Sequence, residues 1–161
     1  MKLYFRDNFF NAGQTDILNE RNERVGEVDL RSAFGSTLDI YDRNGKPLFG
    51  GKFPFMSGRW LVTGEEGEEL GQLRHRLSFF NKKYEYDAFG RGLYEITSPA
   101  FSREYEIHHE TGVMVAAFAK VNGFFEASAF CLENRSREID SFEWIAVILG
   151  MHEIQKRHRS S

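Results

Sequence analysis

The segment from Ser141 to Lys156 constrains this chain more than any other, because it reads as a helix with no polar side across its middle. Trp144 to Met151 holds only apolar residues and one glycine, and a helix that is apolar all round has to be buried all round. Asp140 or Ser141 can cap the first turn, and Glu143, three residues after Asp140, fits a capping box. Lys156, Arg157 and Arg159 follow at the other end, where cations suit the negative pole of the helix dipole. Everything upstream reads as strands. The expectation is a sheet wrapped around a helix.

The 161 residues suit one domain, 1–161, with 141–157 as its central helix. Sixteen Phe, 6 Tyr and 15 Gly against 3 Pro favour pleated strands joined by tight turns. A net charge of -3 sets up no global field, so any electrostatic partner must be met by a local patch, and nucleic acid is not expected. Cys131 is the only cysteine, which rules out an intramolecular disulfide and a thiolate metal site; between Phe130 and Leu132 it is expected to be buried. Met1 to Asp7 lacks the apolar core of a secretory signal, and Trp144–Met151 is shorter than the roughly 20 residues of a membrane span. A soluble cytoplasmic protein is expected, at most peripheral to a membrane.

Short apolar-rich segments separated by turn chemistry predict about twelve strands, from Lys2–Arg6 through Leu70–Leu77 and Lys83–Ala88 to Val113–Lys120 and Phe124–Cys131. Asn44-Gly45 is the strongest hairpin signal, and Gly90, Arg91 and Gly92 mark another turn. Four segments share one grammar: 17–26, 40–48, 61–70 and 107–113 each run from an apolar strand end through a polar tip to an apolar strand start. The first three recur about every 22 residues, as repeated antiparallel hairpins would.

The last two strands carry Ala116, Ala117, Ala119, Ala127, Ser128 and Ala129, small enough to let a central helix approach the wall. The large apolar side chains on the helix are worth roughly 1.5–3 kcal/mol each when buried, so the helix should dominate core stability. A helix packed outside a calycin-like barrel would need a polar face, which this one lacks.

About twelve antiparallel strands followed by an apolar C-terminal helix resembles the tubby C-terminal-like fold, and the chain is most similar to the LURP-one-related proteins within it. The residues carrying the resemblance are the hairpins at 40–45 and 20–26, the segment 82–87, and the terminal stretch 139–148. The resemblance implies a closed antiparallel barrel around a buried helix. It also implies distant kinship with phosphoinositide-binding tubby proteins and with phospholipid scramblases. The short helix and basic tail depart from scramblases, so scrambling is not expected.

The best local patch is Arg74, Arg76, Lys82, Lys83 and Arg91. Period-2 geometry puts Arg74 and Arg76 on one strand face, and a hairpin could bring Lys82 and Lys83 beside them, with Phe79 and Phe80 at the tip. Arg suits forked phosphate contacts and Lys point-charge ones. The competing reading is a solvated face neutralised across the sheet by Glu85, Asp87 and Glu95. His108 and His109 are adjacent and point to opposite faces, which argues against a shared metal ion. Glu65, Glu66, Glu68 and Glu69 make an acidic tip without the alternation of a calcium loop, so they read as a solvated turn. No nucleophile elbow, P-loop or dinucleotide fingerprint is present.

The expected function is a non-enzymatic module, without catalytic residues, cofactor or metal, that binds anionic phospholipid headgroups or another phosphorylated ligand through Arg74, Arg76, Lys82, Lys83 and Arg91. The alternative is a protein-interaction or structural adaptor presenting exposed aromatics to a partner chain. A lipocalin-like carrier would require a hollow barrel.

Overall fold

The computed structural model describes residues 1–31, 37–78, 81–99, 104–122 and 129–159. Its strands are β1 (Lys2–Arg6), β2 (Gly13–Leu18), β3 (Arg24–Arg31), β4 (Thr37–Asp42), β5 (Pro47–Lys52) and β6 (Trp60–Thr63). They continue as β7 (Glu69–Arg76), β8 (Asn81–Asp87), β9 (Leu93–Pro99), β10 (Tyr105–His109), β11 (Met114–Val121) and β12 (Ala129–Asn134). The helix α1 (Ser141–Arg159) follows, the only one among the described residues. Each strand pairs antiparallel with its sequence neighbours, and β1 pairs with β12 to close the barrel. With no edge strand left, the sheet offers no template for pairing with another chain.

Alternation drives the wall. Along β3, Gly26, Val28 and Leu30 point inward and are buried, while Glu27 and Asp29 point outward. The last strand is the one the sequence misplaces. The pattern predicts Phe124–Cys131 and the strand runs Ala129–Asn134, with 124–128 outside the described residues.

The four segments of common grammar are four copies of one turn. In each, the first residue of the turn accepts from the amide of the fourth and donates to the carbonyl of the fifth: Asn19 to Glu23, Asp42 to Lys46, Gly64 to Glu68, His109 to Val113. The fourth residue is left-handed every time, as Asn22, Gly45, Gly67 and Gly112. This is a type I turn closed by a left-handed residue with a bulge, and the pairing register shifts beside all four. Because strands alternate in direction, these turns and the β8–β9 turn all lie at one end of the barrel. The longer connections 7–12 and 53–59 lie at the other, with the β7–β8 connection, and α1 also ends there.

The helix runs through the interior. Trp144 to Met151 are buried on every side, as their composition demands. Its backbone runs closest to β4–β7, rather than to β11 and β12 where the small residues predicted the approach. On the near side, Trp60 of β6 is fully buried between Gly51 and Gly150, and a methyl group on either glycine would overlap the indole. The indole Nε1 donates to the Ala146 carbonyl at 3.1 Å. On the far side, the gap is filled by Phe5, Phe9, Phe10, Phe118 and Phe130, with Phe118 and Phe130 stacked at 5.3 Å. In β11, Ala116 faces inward while Ala117 and Ala119 do not; Ala127 and Ser128 lie outside the described residues.

Candidate functional site

Arg74, Arg76 and Lys83 share the outer face of β7 and β8, where Arg74 pairs in register with Glu85 and Arg76 with Lys83. Carboxylates sit among them. Arg74 Nε donates to Glu85 Oε1 at 2.9 Å and its Nη2 also reaches that oxygen. Arg76 Nη2 lies 3.7 Å from the other oxygen of Glu85, and Lys83 Nζ lies 3.1 Å from Glu95. These are part-exposed pairs of small individual worth. Arg74 is thus occupied within the wall, whereas Arg76 and Lys83 stand nearer its long-loop end. Lys82 falls in the alternate phase, that of inward-facing Tyr84 and Tyr86, so it does not share their face. Phe79 and Phe80 lie outside the described residues.

Arg91 is elsewhere altogether. It occupies the β8–β9 turn at the opposite end of the strand from Lys83, at least about 13 Å away at ~3.3 Å per strand residue. Its Nη1 and Nη2 donate to the two oxygens of Glu143 at 2.8 and 2.7 Å, and Nη2 also donates to the Leu70 carbonyl at 2.7 Å. The Tyr86 hydroxyl donates to the same carboxylate at 2.6 Å. The hydrogen bonds to Glu143 hold Arg91 more firmly charged, while burial and the Glu143 charge push the Tyr86 hydroxyl far above its ordinary range. The capping box is therefore not formed: Asp140 Oδ1 alone accepts from the Phe142 amide at 2.8 Å, and Glu143 faces Arg91 instead. The convergence of Arg74, Arg76, Lys82, Lys83 and Arg91 on one phosphate does not occur in this geometry.

Charge is instead sorted by barrel end. Among the described residues, the long-loop end carries Arg6, Arg31, Lys52, Arg59, Arg76, Lys82, Lys83 and Lys120, joined by Lys156, Arg157 and Arg159 from the end of α1. Asp7, Glu104 and Glu106 oppose them there, along with wall carboxylates such as Asp29, Asp39 and Glu85. The tight-turn end carries Glu20, Glu23, Asp42, Glu65, Glu66, Glu68, Glu69, Asp87, Glu110, Glu133, Glu138 and Asp140, in excess over its own cations Lys2, Arg21, Arg24, Arg43, Lys46, Arg91, Arg135 and Arg137. Sequence reading missed this segregation because it depends on strand direction rather than on any local run. The signal was present in the turns: every acidic tip belongs to a tight hairpin.

Among the described residues, depressions on the outer surface include two of note. One of about 390 Å³ lies over β9–β11, lined by Thr97, Glu104, Glu106, Ala117 and Ala119 among others. The other, about 440 Å³, has Leu48, Phe49 and Leu70 beneath Glu65, Glu66, Glu68 and Asp140. Both are rimmed by carboxylates, which disfavours an anionic occupant. The barrel interior is filled by α1, so the hollow that a lipocalin-like carrier requires is occupied by protein.

His75 sits at the long-loop rim with its ring 5.3 Å from Tyr84 and 5.0 Å from His158. Desolvation first, and the His158 charge second, lower its pKa. Cys131 is half-buried on the outer face, not buried as its neighbours suggested, because Phe130 and Leu132 take the inward phase; desolvation still pushes its thiol up. Among the described residues no group of three His, Cys, Asp or Glu side chains is placed to hold a metal ion, and no helix is long and apolar enough to cross a membrane.

A family model described as LURP-one-related matches residues 1–140, which takes in all twelve strands and stops just before the helix. Among curated proteins no sequence matches the chain.

Proposed function

The chain belongs to the LURP-one-related family, and from that premise we propose that it is a non-enzymatic binding module for anionic phospholipid headgroups. The observation supporting this reading is the excess of cations at the long-loop end, set against the acidic tight-turn end. A surface so polarised orients the whole molecule toward an anionic partner and attracts it from a Debye length away. The contacts fall on Arg59, Arg76, Lys83 and the helix-terminal Arg157 and Arg159 rather than on Arg91, which is engaged with Glu143. A filled barrel favours recognition at the surface over enclosure of a ligand.

The test is co-sedimentation with neutral, anionic and phosphoinositide-containing vesicles at low and near-physiological salt. Pelleting that is specific to anionic vesicles, weakened by salt and lost in an Arg59→Glu, Arg76→Glu, Lys83→Glu variant is the expected result. Absence of pelleting with every lipid would sink the reading and leave the protein-interaction alternative in its place.

A further inference from the structure

Among the described residues, three bulky apolar side chains stand almost fully in water at the basic end: Phe55 is 95% exposed, Met56 89% and Leu77 96%. Phe55 and Met56 lie at the apex of the β5–β6 connection, in a turn closed by the Ser57 amide donating to the Pro54 carbonyl at 3.1 Å. Met56 has φ +59°, the left-handed region where a turn ordinarily takes glycine. A large thioether side chain held there carries strain, and its near-complete exposure buries almost nothing in return. The loop is also fixed in place. Arg157 from the end of α1 donates to the Ser57 carbonyl at 2.9 Å and lies 3.5 Å above the Phe53 ring. The apex is therefore displayed by a tethered turn.

The wall cannot be the lipid-facing surface, since its outward positions include Glu27, Asp29, Arg74, Glu85 and Glu95. At the basic end the same outward exposure combines apolar tips with flanking cations, the pairing that suits an interface between headgroups and acyl chains. Among the described residues the other large exposed apolar side chains, Met1, Phe89 and Val113, lie at the acidic end, which an anionic surface repels.

We propose that the long-loop end docks on an anionic bilayer with Phe55, Met56 and Leu77 entering the boundary between headgroups and acyl chains, so that the barrel stands on the membrane. This rests on the headgroup reading above and adds the insertion and the orientation. Cations supply lipid selectivity, and the three tips supply retention that salt does not screen.

The experiment uses the full chain with Phe55→Trp, on phosphatidylserine–phosphatidylcholine vesicles in which the phosphatidylcholine carries brominated acyl chains. Trp60 and Trp144 are fully buried inside the barrel, so quenching reports position 55. Quenching and a blue shift are expected. A companion Phe55→Ser, Met56→Gly, Leu77→Ser variant should bind vesicles about tenfold more weakly for each side chain that inserts. Met56→Gly relieves the left-handed backbone, and the other two sites are exposed, so folding should survive; an unchanged thermal transition checks it. Salt-sensitive vesicle binding without quenching, and undiminished in the companion variant, would overturn insertion while leaving the headgroup reading intact. No binding of the parent chain to any anionic vesicle would overturn both.

Discussion

Arg91 grips the buried carboxylate of Glu143 with both terminal nitrogens, at 2.8 and 2.7 Å, and so ties the β8–β9 turn to the first turn of the central helix. Glu143 is only 2% exposed and Arg91 29%. Removing the cation strands a carboxylate among apolar walls, with the Tyr86 hydroxyl as its remaining side-chain donor. Arg91→Ala should destabilise the protein by about 3 kcal/mol, toward the low end for a broken buried pair because water reaches Arg91. Arg91→Lys keeps the charge but loses the fork, and should recover only part of that. Urea unfolding measures both. Vesicle binding by folded Arg91→Lys should match the parent, because the turn lies at the end away from the proposed contacts; a selective loss of lipid binding would return Arg91 to the ligand site.

Gly150 faces the indole of Trp60 with no room for a β-carbon. Helix propensity alone predicts that Gly150→Ala stabilises by about 1 kcal/mol. The packing predicts the reverse, since a methyl group would force the ring off its place between Gly51 and Gly150 and strain its bond to the Ala146 carbonyl. Overpacking of a tight core costs roughly 1–3 kcal/mol, and here it should win. A lowered thermal midpoint for Gly150→Ala is the expected outcome; a raised one would show that the helix can shift away from β5 and β6.

Ile148 lies fully buried in the middle of α1, with its whole turn enclosed by the barrel. Ile148→Asp places a carboxylate where neither solvent nor a cation is at hand. Even if the carboxyl takes up a proton, the unmet polar group and the lost isoleucine packing together cost several kcal/mol, a large part of the roughly 5–15 kcal/mol that a typical domain has to lose. The variant should show no cooperative transition by circular dichroism and should accumulate as insoluble protein. A folded, soluble Ile148→Asp would mean that the helix can leave the barrel.

The fold was legible because its signals are local or nearly so. The unbroken apolar run at Trp144–Met151 requires burial on all sides, and the polar tips at 19–23, 42–46, 64–68 and 109–113 each specify the same turn. The candidate site was legible only in part. Period 2 placed Arg74 and Arg76 together, but register decides what stands opposite, and register put Glu85 beside Arg74. Arg91 is near Lys83 in sequence, yet strand direction carries it to the other end of the barrel. Glu143 reads as a capping residue by spacing, and only the long-range closure of the barrel brings Arg91 and Tyr86 to it. The exposed apex at Phe55 and Met56 gave no sequence signal, since an apolar pair between strands reads equally well as core.

His75 gives the fold a pH dependence whose sign is fixed. Its ordinary value is 6.5, and desolvation beside Tyr84 together with the charge of His158 lowers it in the folded state. The unfolded chain therefore takes up the proton first as pH falls. The contribution of neutral His75 is fully present above about pH 6.5 and is lost as pH drops from there through the lowered folded value. The effect should be small, because the ring is exposed at the rim and solvent screens it. His75→Gln should flatten the fall in stability below pH 6.5 while leaving stability at pH 8 nearly unchanged. Thermal unfolding of both proteins across pH 5 to 8 measures this, and parallel curves would assign the slope to other groups.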